Sequence, residues 1–179
     1  VIGDYAFYGC SALRRVSMPD SVTAIGGYAF SQSAHLEAAA LGQGVTEIGD
    51  YAFYGCPALD DLTLPDGLES IGERAFSHCD ALESVRIPER VSNLGDAAFS
   101  YCHALKSAEI AAPVETLPRY LFFDCTALES VILPDGLTAL DWNVFRSCTA
   151  LRDVTLPDSL TTIGDNAFKG CESLGALTL

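Results

Sequence analysis

The 179-residue chain has few basic side chains. Ten Lys and Arg residues stand against 24 Asp and Glu residues, and the formal net charge is −14. The basic residues are scattered along the sequence and form no cluster. Nucleic acid backbones and anionic membrane surfaces are polyanions that bind basic patches, so this charge repels both. The composition therefore predicts no nucleic acid partner, and it favours encounters with basic partners.

Long apolar runs and catalytic motifs are also missing. No apolar stretch reaches the ~20 residues that a membrane-spanning helix requires, so we expect no direct membrane insertion. The sequence contains no glycine-rich phosphate loop, no dinucleotide-binding fingerprint, no nucleophile elbow and no His-Glu-x-x-His zinc motif. We therefore predict that the chain is not an enzyme, that it has no catalytic residue, and that it binds no metal and no cofactor.

What the sequence does contain is a repeat of 23 residues. Position 6 of the repeat is Phe in all eight copies, position 12 is Leu in all eight, and position 9 is Cys in seven and Ser33 in the other. A unit of this size cannot bury its own apolar side chains, but stacked units bury them against each other in rows of equivalent residues. Position 1 of the successive repeats is occupied by Ile2, Ile25, Ile48, Ile71, Leu94, Leu117, Leu140 and Ile163.

Each repeat has two recognisable parts. Segments such as residues 82–88, Leu-Glu-Ser-Val-Arg-Ile-Pro, alternate apolar and polar residues and predict a short strand that a proline ends. The Pro-Asp-Gly and Pro-Asp-Ser sequences that follow predict turns. Positions 2 to 9, as in residues 164–171, predict a bend at Gly and a helix of one to two turns. Asp at position 3 would cap this helix, and that position holds Asp4, Asp50, Asp96 and Asp165.

These features predict the fold class, an α/β repeat solenoid. We expect a right-handed superhelix with a parallel β-sheet on its concave side and short helices on its convex side. The period leaves no room for a linker, so residues 1–179 form a single domain of seven full repeats and a partial eighth. Because Val1 and Leu179 both lie inside a repeat, we expect the chain to be a fragment of a longer protein.

The cysteines all occupy position 9 and form one predicted column. A zinc site needs ligands that converge from short spacings, and a disulfide needs Cβ vectors that this parallel arrangement disfavours. We interpret the cysteines as buried structural thiols, with disulfides and a metal site as the remaining alternatives. His78 and His103 adjoin two of them and are interpreted as surface residues, and the acids at position 19 as turn residues without calcium.

The repeat resembles the BspA-type leucine-rich repeat, also called the Treponema pallidum type. Its pattern IGxxAFxxCxxLxxVxLPxxLxx is clearest in Ile71-Gly72, Ala75-Phe76, Cys79, Leu82, Val85, Ile87-Pro88 and Val91. The resemblance covers essentially the whole chain and implies a leucine-rich-repeat superhelix. It further implies a large secreted or surface-anchored protein, bacterial in most cases, that acts as an adhesin toward host or neighbouring-cell proteins. The family supplies no invariant functional residue to carry over.

Candidate contact residues are those that the repeat itself does not explain. Strand positions 14 and 16 should point out of the sheet, where Arg86, Glu109 and Ile132 are adjacent and large. An ordinary solvated face is the alternative interpretation of this patch. A second set would lie on the helix side, where packing between helices is the alternative. This set consists of Tyr120, Phe123, Trp142 and Arg146, residue types that interface anchors favour.

The predicted function is non-enzymatic binding. We expect a cell-surface adhesion or recognition module whose ligand, a protein or a glycan of a host or neighbouring cell, contacts an extended surface. The alternative is a structural spacer domain in a multidomain surface protein. In both cases the expected location is extracellular or on the cell surface, with targeting and anchoring segments outside this chain.

Overall fold

A computed structural model of the chain describes residues 1–178. The chain forms a parallel β-solenoid of about seven turns, which confirms the predicted repeat architecture. Each turn contributes one longer and one shorter strand. The strands are β1 (Arg15–Ser17), β2 (Ala24–Ile25), β3 (Ala38–Ala40), β4 (Glu47–Ile48), β5 (Asp61–Thr63), β6 (Ser70–Ile71), β7 (Ser84–Ile87), β8 (Asn93–Leu94), β9 (Ser107–Ile110), β10 (Thr116–Leu117), β11 (Ser130–Ile132), β12 (Ala139–Leu140), β13 (Asp153–Thr155), β14 (Thr162–Ile163) and β15 (Ala176–Thr178).

The longer, odd-numbered strands form the predicted sheet. They pair in parallel with each residue opposite its equivalent 23 positions later, as Arg86 is opposite Glu109. The sheet has two parts, β1-β3-β5 and β7-β9-β11-β13-β15. Val85 and Ile87 of β7 are buried, whereas Ser84 and Arg86 between them are exposed. Positions 14 and 16 therefore face solvent, as the alternation predicts, and we call this side of the solenoid the strand face.

The shorter, even-numbered strands form a second parallel ladder that the sequence analysis did not predict. They occupy position 23 of one repeat and position 1 of the next. This ladder also has two parts, β2-β4-β6-β8 and β10-β12-β14. The interruption falls where Pro113 lies two places later than the proline of other repeats, and there the N–H of Val114 donates to the Ala112 carbonyl.

The predicted helices are wrong, because positions 3 to 8 form consecutive turns in every repeat. Positions 4 and 8 have positive φ in all eight copies, as at Tyr28 (56°) and Gln32 (61°). A right-handed helix cannot contain a left-handed residue at every fourth position. Alternate N–H groups donate to the next coil instead, so that Tyr28 donates to Asp50 and Phe30 to Ala52, at 2.9 and 2.7 Å. We call this side of the solenoid the turn face.

The expected helix caps are accordingly wrong as well. Asp4 and Asp50 accept a hydrogen bond from the position-3 N–H of the next coil, Gly27 at 2.7 Å and Glu73 at 2.8 Å. These carboxylates therefore fasten one coil to another. Glycine at position 2 serves the same close approach, because a Cβ on Gly72 would lie 2.5 Å from the backbone nitrogen of Asp50.

The interior is built from the predicted columns. Position-6 Phe rings stack in one continuous row, with centroids 5.1 Å apart at Phe30–Phe53 and interplanar angles of 20° or less throughout. From Phe30 to Phe145 these rings are completely buried. Next to them, the Cys102 thiol donates to the Phe76 carbonyl oxygen at 3.2 Å, and Ser33 makes the same bond to Phe7. The thiol column is therefore part of the hydrogen bonding between coils.

Candidate functional site

The strand-face patch is brought together by register. Glu109 of β9 lies between its Cα partners Arg86 of β7 and Ile132 of β11. Ile132 is 64% exposed, although it is a large apolar residue in a strand. Its side chain and that of Glu109 line a shallow groove of about 550 Å³ that also reaches Pro134. All three predicted residues thus form one continuous surface.

Arg86 is held by three carboxylates on that surface. Its guanidinium pairs with Glu89 two residues beyond β7, with Glu109 at 3.3 Å and with Asp66 at 3.9 Å. The hydrogen bond with Glu89 is the main cause of a raised Arg86 pKa. Because the arginine is already engaged, it is a weak anchor for an anionic partner, and the apolar Ile132 is the group left without an internal role.

The turn-face residues form a chain of ring contacts. The Tyr120 and Phe123 rings meet edge to face at 5.5 Å, and Phe123 meets Tyr101 of the previous coil in the same way at 5.2 Å. The guanidinium carbon of Arg146 lies 5.7 Å from the Phe123 ring centroid, at cation–π distance. The structure thus brings three of the predicted residues together and adds Tyr101 to them.

Trp142 stands apart from this chain. Its backbone carbonyl accepts the Tyr120 N–H at 3.0 Å, and the residue is 54% exposed. Within residues 1–178 no ring or cation contact joins the indole to Phe123 or Arg146. Arg119, its neighbour in the previous coil, pairs with Asp96 at 2.6 Å. The predicted turn-face set is therefore two separate features, a ring chain and one exposed indole.

Beside the ring chain lies a trough that the sequence analysis missed. Its volume is about 540 Å³. Position 7 carries a ring at Tyr54 and at Phe123, but Ser77 and Ser100 occupy that position in the two coils between them. The missing rings leave a space two coils wide. The trough is lined by Tyr54, Arg74, Ser77, His78, Ala97, Ser100, Tyr101, Tyr120 and Phe123.

A signal for the trough was present in the sequence. Position 4 holds Tyr in four repeats, but Ala97 in the fifth. The small residues at Ala97, Ser77 and Ser100 fall in adjacent repeats and in columns that carry rings elsewhere. Large aromatic residues in the repeat columns indicate the residues that surround the trough. Small residues in columns that otherwise hold rings indicate the position of the trough itself.

A histidine clamp lies next to Tyr101, one of the residues that line the trough, with the two ring centroids 6.2 Å apart. His103 Nδ1 lies 2.7 Å from Asp80 Oδ1, and its Nε2 lies 3.2 Å from Asp124 Oδ2. Burial disfavours the imidazolium, but the bonds to Asp124 and Asp80 together raise the His103 pKa above its usual value. The clamp ties three successive coils. His78, stacked on Tyr101 at 4.4 Å, instead has a pKa that burial lowers.

Burial makes the thiols of the cysteine column unreactive. Burial raises the pKa of Cys56 and of Cys102 to about 12, and that of Cys171 to about 11. A thiol is a nucleophile or metal ligand only as the thiolate, which these groups do not reach near neutral pH. Within residues 1–178 no three His, Cys, Asp or Glu side chains form a group that could hold a metal ion.

The repeat is matched by a known family. The family profile described as the BspA type leucine-rich repeat region matches residues 1–106 and 46–175, with six copies. These two ranges together span nearly the whole chain. The chain belongs to the BspA-type leucine-rich repeat family. A comparison with curated proteins finds no match.

Solved structures of leucine-rich repeat proteins share the fold. A leucine-rich repeat protein from Bacteroides ovatus is 35% identical with a TM-score of 0.90, over 95% of this chain and 45% of that one. The T. pallidum leucine-rich repeat protein is 32% identical with a TM-score of 0.73, over 97% of this chain and 71% of that one. A leucine-rich cell surface protein from Faecalibacterium prausnitzii is 26% identical with a TM-score of 0.63, over 97% of this chain and 61% of that one.

This BspA-type chain is thus similar to portions of longer proteins. It spans less than half the length of the Bacteroides ovatus protein and about three fifths of the Faecalibacterium prausnitzii one. In residues 1–178 of the chain, no segment forms a helix with the length and apolarity of a membrane span.

Proposed function

We propose that this chain is a cell-surface recognition module that binds a protein or glycan ligand without catalysis. The similar Faecalibacterium prausnitzii protein is described as a cell surface protein, which supports this location. We take the coils to be right-handed, as crossovers between parallel strands are in about 98% of cases. The solenoid then offers its two long faces for contact, and its interior carries no chemistry.

The observation that carries the proposal is the presence of two exposed aromatic residues on the turn face, Trp142 and Tyr120. Trp142 is 54% exposed, and Tyr120 sits at the end of the ring chain that includes Phe123 and Arg146. Aromatic residues and Arg are enriched at protein interfaces, and Trp, Tyr and Arg are enriched among the residues that anchor them. The strand face offers Ile132 as a second, smaller contact.

Binding of the fluorescently labelled chain to cells tests the proposal. We expect saturable binding, measured by flow cytometry, to cultured epithelial cells or to bacterial cells. The variant Trp142→Ala with Tyr120→Ala should weaken it about tenfold, because anchor truncations cost more than ~1 kcal/mol. Asn166→Ala, at the same repeat position as Tyr120, is the control and should bind like the native chain.

Truncation of the exposed apolar residue tests the strand face in the same assay. Ile132→Ser should weaken binding if this face contributes, and Thr155→Ser, at the same position of the next repeat, is its control. Absence of saturable binding to either cell type would contradict the proposal and favour a spacer domain. Unchanged affinity in the Trp142 and Tyr120 variant would remove the turn-face site from it.

A further inference from the structure

The trough on the turn face has the form of a small ligand site. The backbone under it is the same as in every other coil, since positions 4 and 8 keep their left-handed conformation at Ala97 (56°) and Tyr101 (59°). Only the side chains differ. Its volume of about 540 Å³ lies within the ~300–1,000 Å³ that ligand pockets occupy.

Aromatic rings bound the trough in two orientations. His78 and Tyr101 stack on each other along one side, 6° from parallel. At one end the Tyr54 ring stands at 82° to His78, and at the other the Phe123 ring stands at 72° to Tyr101. A ligand in the trough therefore meets apolar ring surface from more than one direction, which suits a rigid molecule with apolar C–H faces.

The floor of the trough is already paired. Ser77 Oγ and Ser100 Oγ lie 2.9 Å apart, and Ser100 Oγ lies 2.9 Å from the Ala97 carbonyl oxygen. The hydroxyls thus satisfy each other beneath the rings. Hydrogen bonds to a ligand would come from the more exposed lining residues, Arg74 and the tyrosines. The site accordingly combines an apolar body with a polar edge.

The charged groups around the trough are mostly paired with one another. Arg119 pairs with Asp96 on one side, and the His103 clamp engages two aspartates on the other. Arg74 lies 3.8 Å from Glu73 and 5.8 Å from the Tyr51 ring centroid, so its charge is partly met as well. A cation would face Arg74 directly, and an anion would face the chain's net charge of −14. Neutral ligands are the class that remains.

We propose that the trough binds one neutral pyranose unit of a glycan, with its C–H faces against the rings and its hydroxyls at Arg74 and the tyrosine hydroxyls. A pyranose is a rigid, uncharged ring with apolar faces and a polar edge, which matches the rings and the more exposed polar residues that line the trough. This assignment rests on the proposed recognition function, because it names the ligand class and the place where part of the ligand is held.

The test uses saturation-transfer NMR with the full chain and the methyl glycosides of glucose, galactose, mannose and N-acetylglucosamine. We expect saturation transfer to the C–H protons of at least one glycoside. Ala97→Tyr should reduce it by about tenfold or more, because the new ring fills the trough. Four repeats already hold Tyr at this position, with Tyr28 at the same φ of 56°, so the backbone accepts the substitution. Asn166→Tyr places the same residue at the same repeat position outside the trough and should change nothing.

A second pair of variants removes a wall. Tyr54→Ser introduces the residue that position 7 carries in three other repeats, and it should reduce the transfer about threefold or more because one ring surface is lost. Tyr8→Ser is its control at the same position of the first repeat. Thermal unfolding of each variant shows whether the solenoid is intact.

The outcomes separate this assignment from the proposed function. No transfer to any of the four glycosides, or transfer that Ala97→Tyr leaves unchanged, would overturn the assignment. Loss of cell binding in Ala97→Tyr without any glycoside transfer would also overturn it, because the trough would then receive a protein side chain. Glycoside transfer without cell binding would support the assignment while the proposed function fails.

Discussion

The turn segment has an inward side, where the residue type is nearly constant between repeats, and an outward side, where it varies. Inward, position 6 is Phe in every coil and position 9 is Cys or Ser. Outward, positions 4 and 8 hold Tyr, Arg, Ala, Asn, Gly, Gln, His, Asp and Ser, with no β-branched residue. Left-handed backbone is most unfavourable for β-branched residues, whereas Gly adopts it freely and Asn, Asp and His adopt it more often than other types. The difference shows that hydrogen bonds between coils fix the backbone, which leaves the outer side chains free to vary.

This freedom explains how one scaffold holds both a filled and an open region. In the first three repeats Tyr5, Tyr28 and Tyr51 stack at 4.9 and 4.7 Å, and the column is continuous. In the next two, Arg74 and Ala97 replace the tyrosines, and the trough opens. Changes inside should therefore cost stability, whereas changes outside should alter binding or titration.

The largest effect is expected inside, at the phenylalanine row. Phe76→Ala should lower the free energy of unfolding by about 3–5 kcal/mol, because Phe76 is completely buried between two stacked rings. Phe7→Ala at the end of the row is the matched control and should cost less, since Phe7 is 40% exposed and stacks on one ring only. Equilibrium urea denaturation measures both values. Equal losses would mean that burial does not set the cost along the row.

The thiol column should show a smaller effect that depends on hydrogen bonding. Cys102→Ala should cost about 1–2 kcal/mol, because it leaves a small cavity and removes the bond to the Phe76 carbonyl. Cys102→Ser should cost under about 1 kcal/mol, because a hydroxyl can make the bond that Ser33 makes. Urea denaturation distinguishes the two. A serine variant less stable than the alanine variant would show that the column is held by packing alone.

The sequence predicted which residues lie side by side in the interior and on the longer strands. Because equivalent residues lie side by side in successive coils, the interior rows and the adjacency of Arg86, Glu109 and Ile132 followed from counting by 23. Outward-facing positions 14 and 16 followed from strand alternation. These inferences need no knowledge of how the backbone runs between strands.

The sequence analysis was wrong about the local conformation of the turn segment, for which it predicted a short helix. Asp, Ala and Phe in sequence are compatible with a capped helical turn. However, a helix is ~10–12 Å wide and bonds only to itself, whereas stacked strands are ~4.8 Å apart. The turns meet that spacing, as the Phe30–Phe53 distance of 5.1 Å shows, and they donate to the next coil. The stacking requirement of the whole solenoid therefore overrides the local preference. In the sequence, the left-handed turns are indicated only by the residue types at positions 4 and 8.

The smallest effect is expected outside, in the titration of two histidines in adjacent coils. The ordinary pKa of a histidine side chain is 6.5. NMR titration of the ring protons should place the midpoint of His103 above that value and the midpoint of His78 below it. Protonated His103 can donate to Asp80 and Asp124 at once, whereas the neutral ring donates to only one of them. Asp124→Asn should lower the His103 midpoint, and Asp158→Asn, a remote removal of one carboxylate, should leave it unchanged.

The two histidines should also act on stability with opposite signs. A raised folded pKa means that the His103 contribution is present below pH 6.5 and is lost as the pH rises through its folded midpoint. For His78 the folded pKa is lowered, so its protonation opposes folding and stability falls as the pH drops through 6.5. His103 is 44% exposed, which keeps its share small because solvent screens the clamp. Equal midpoints for the two residues would contradict the clamp geometry, since only His103 lies between two carboxylates.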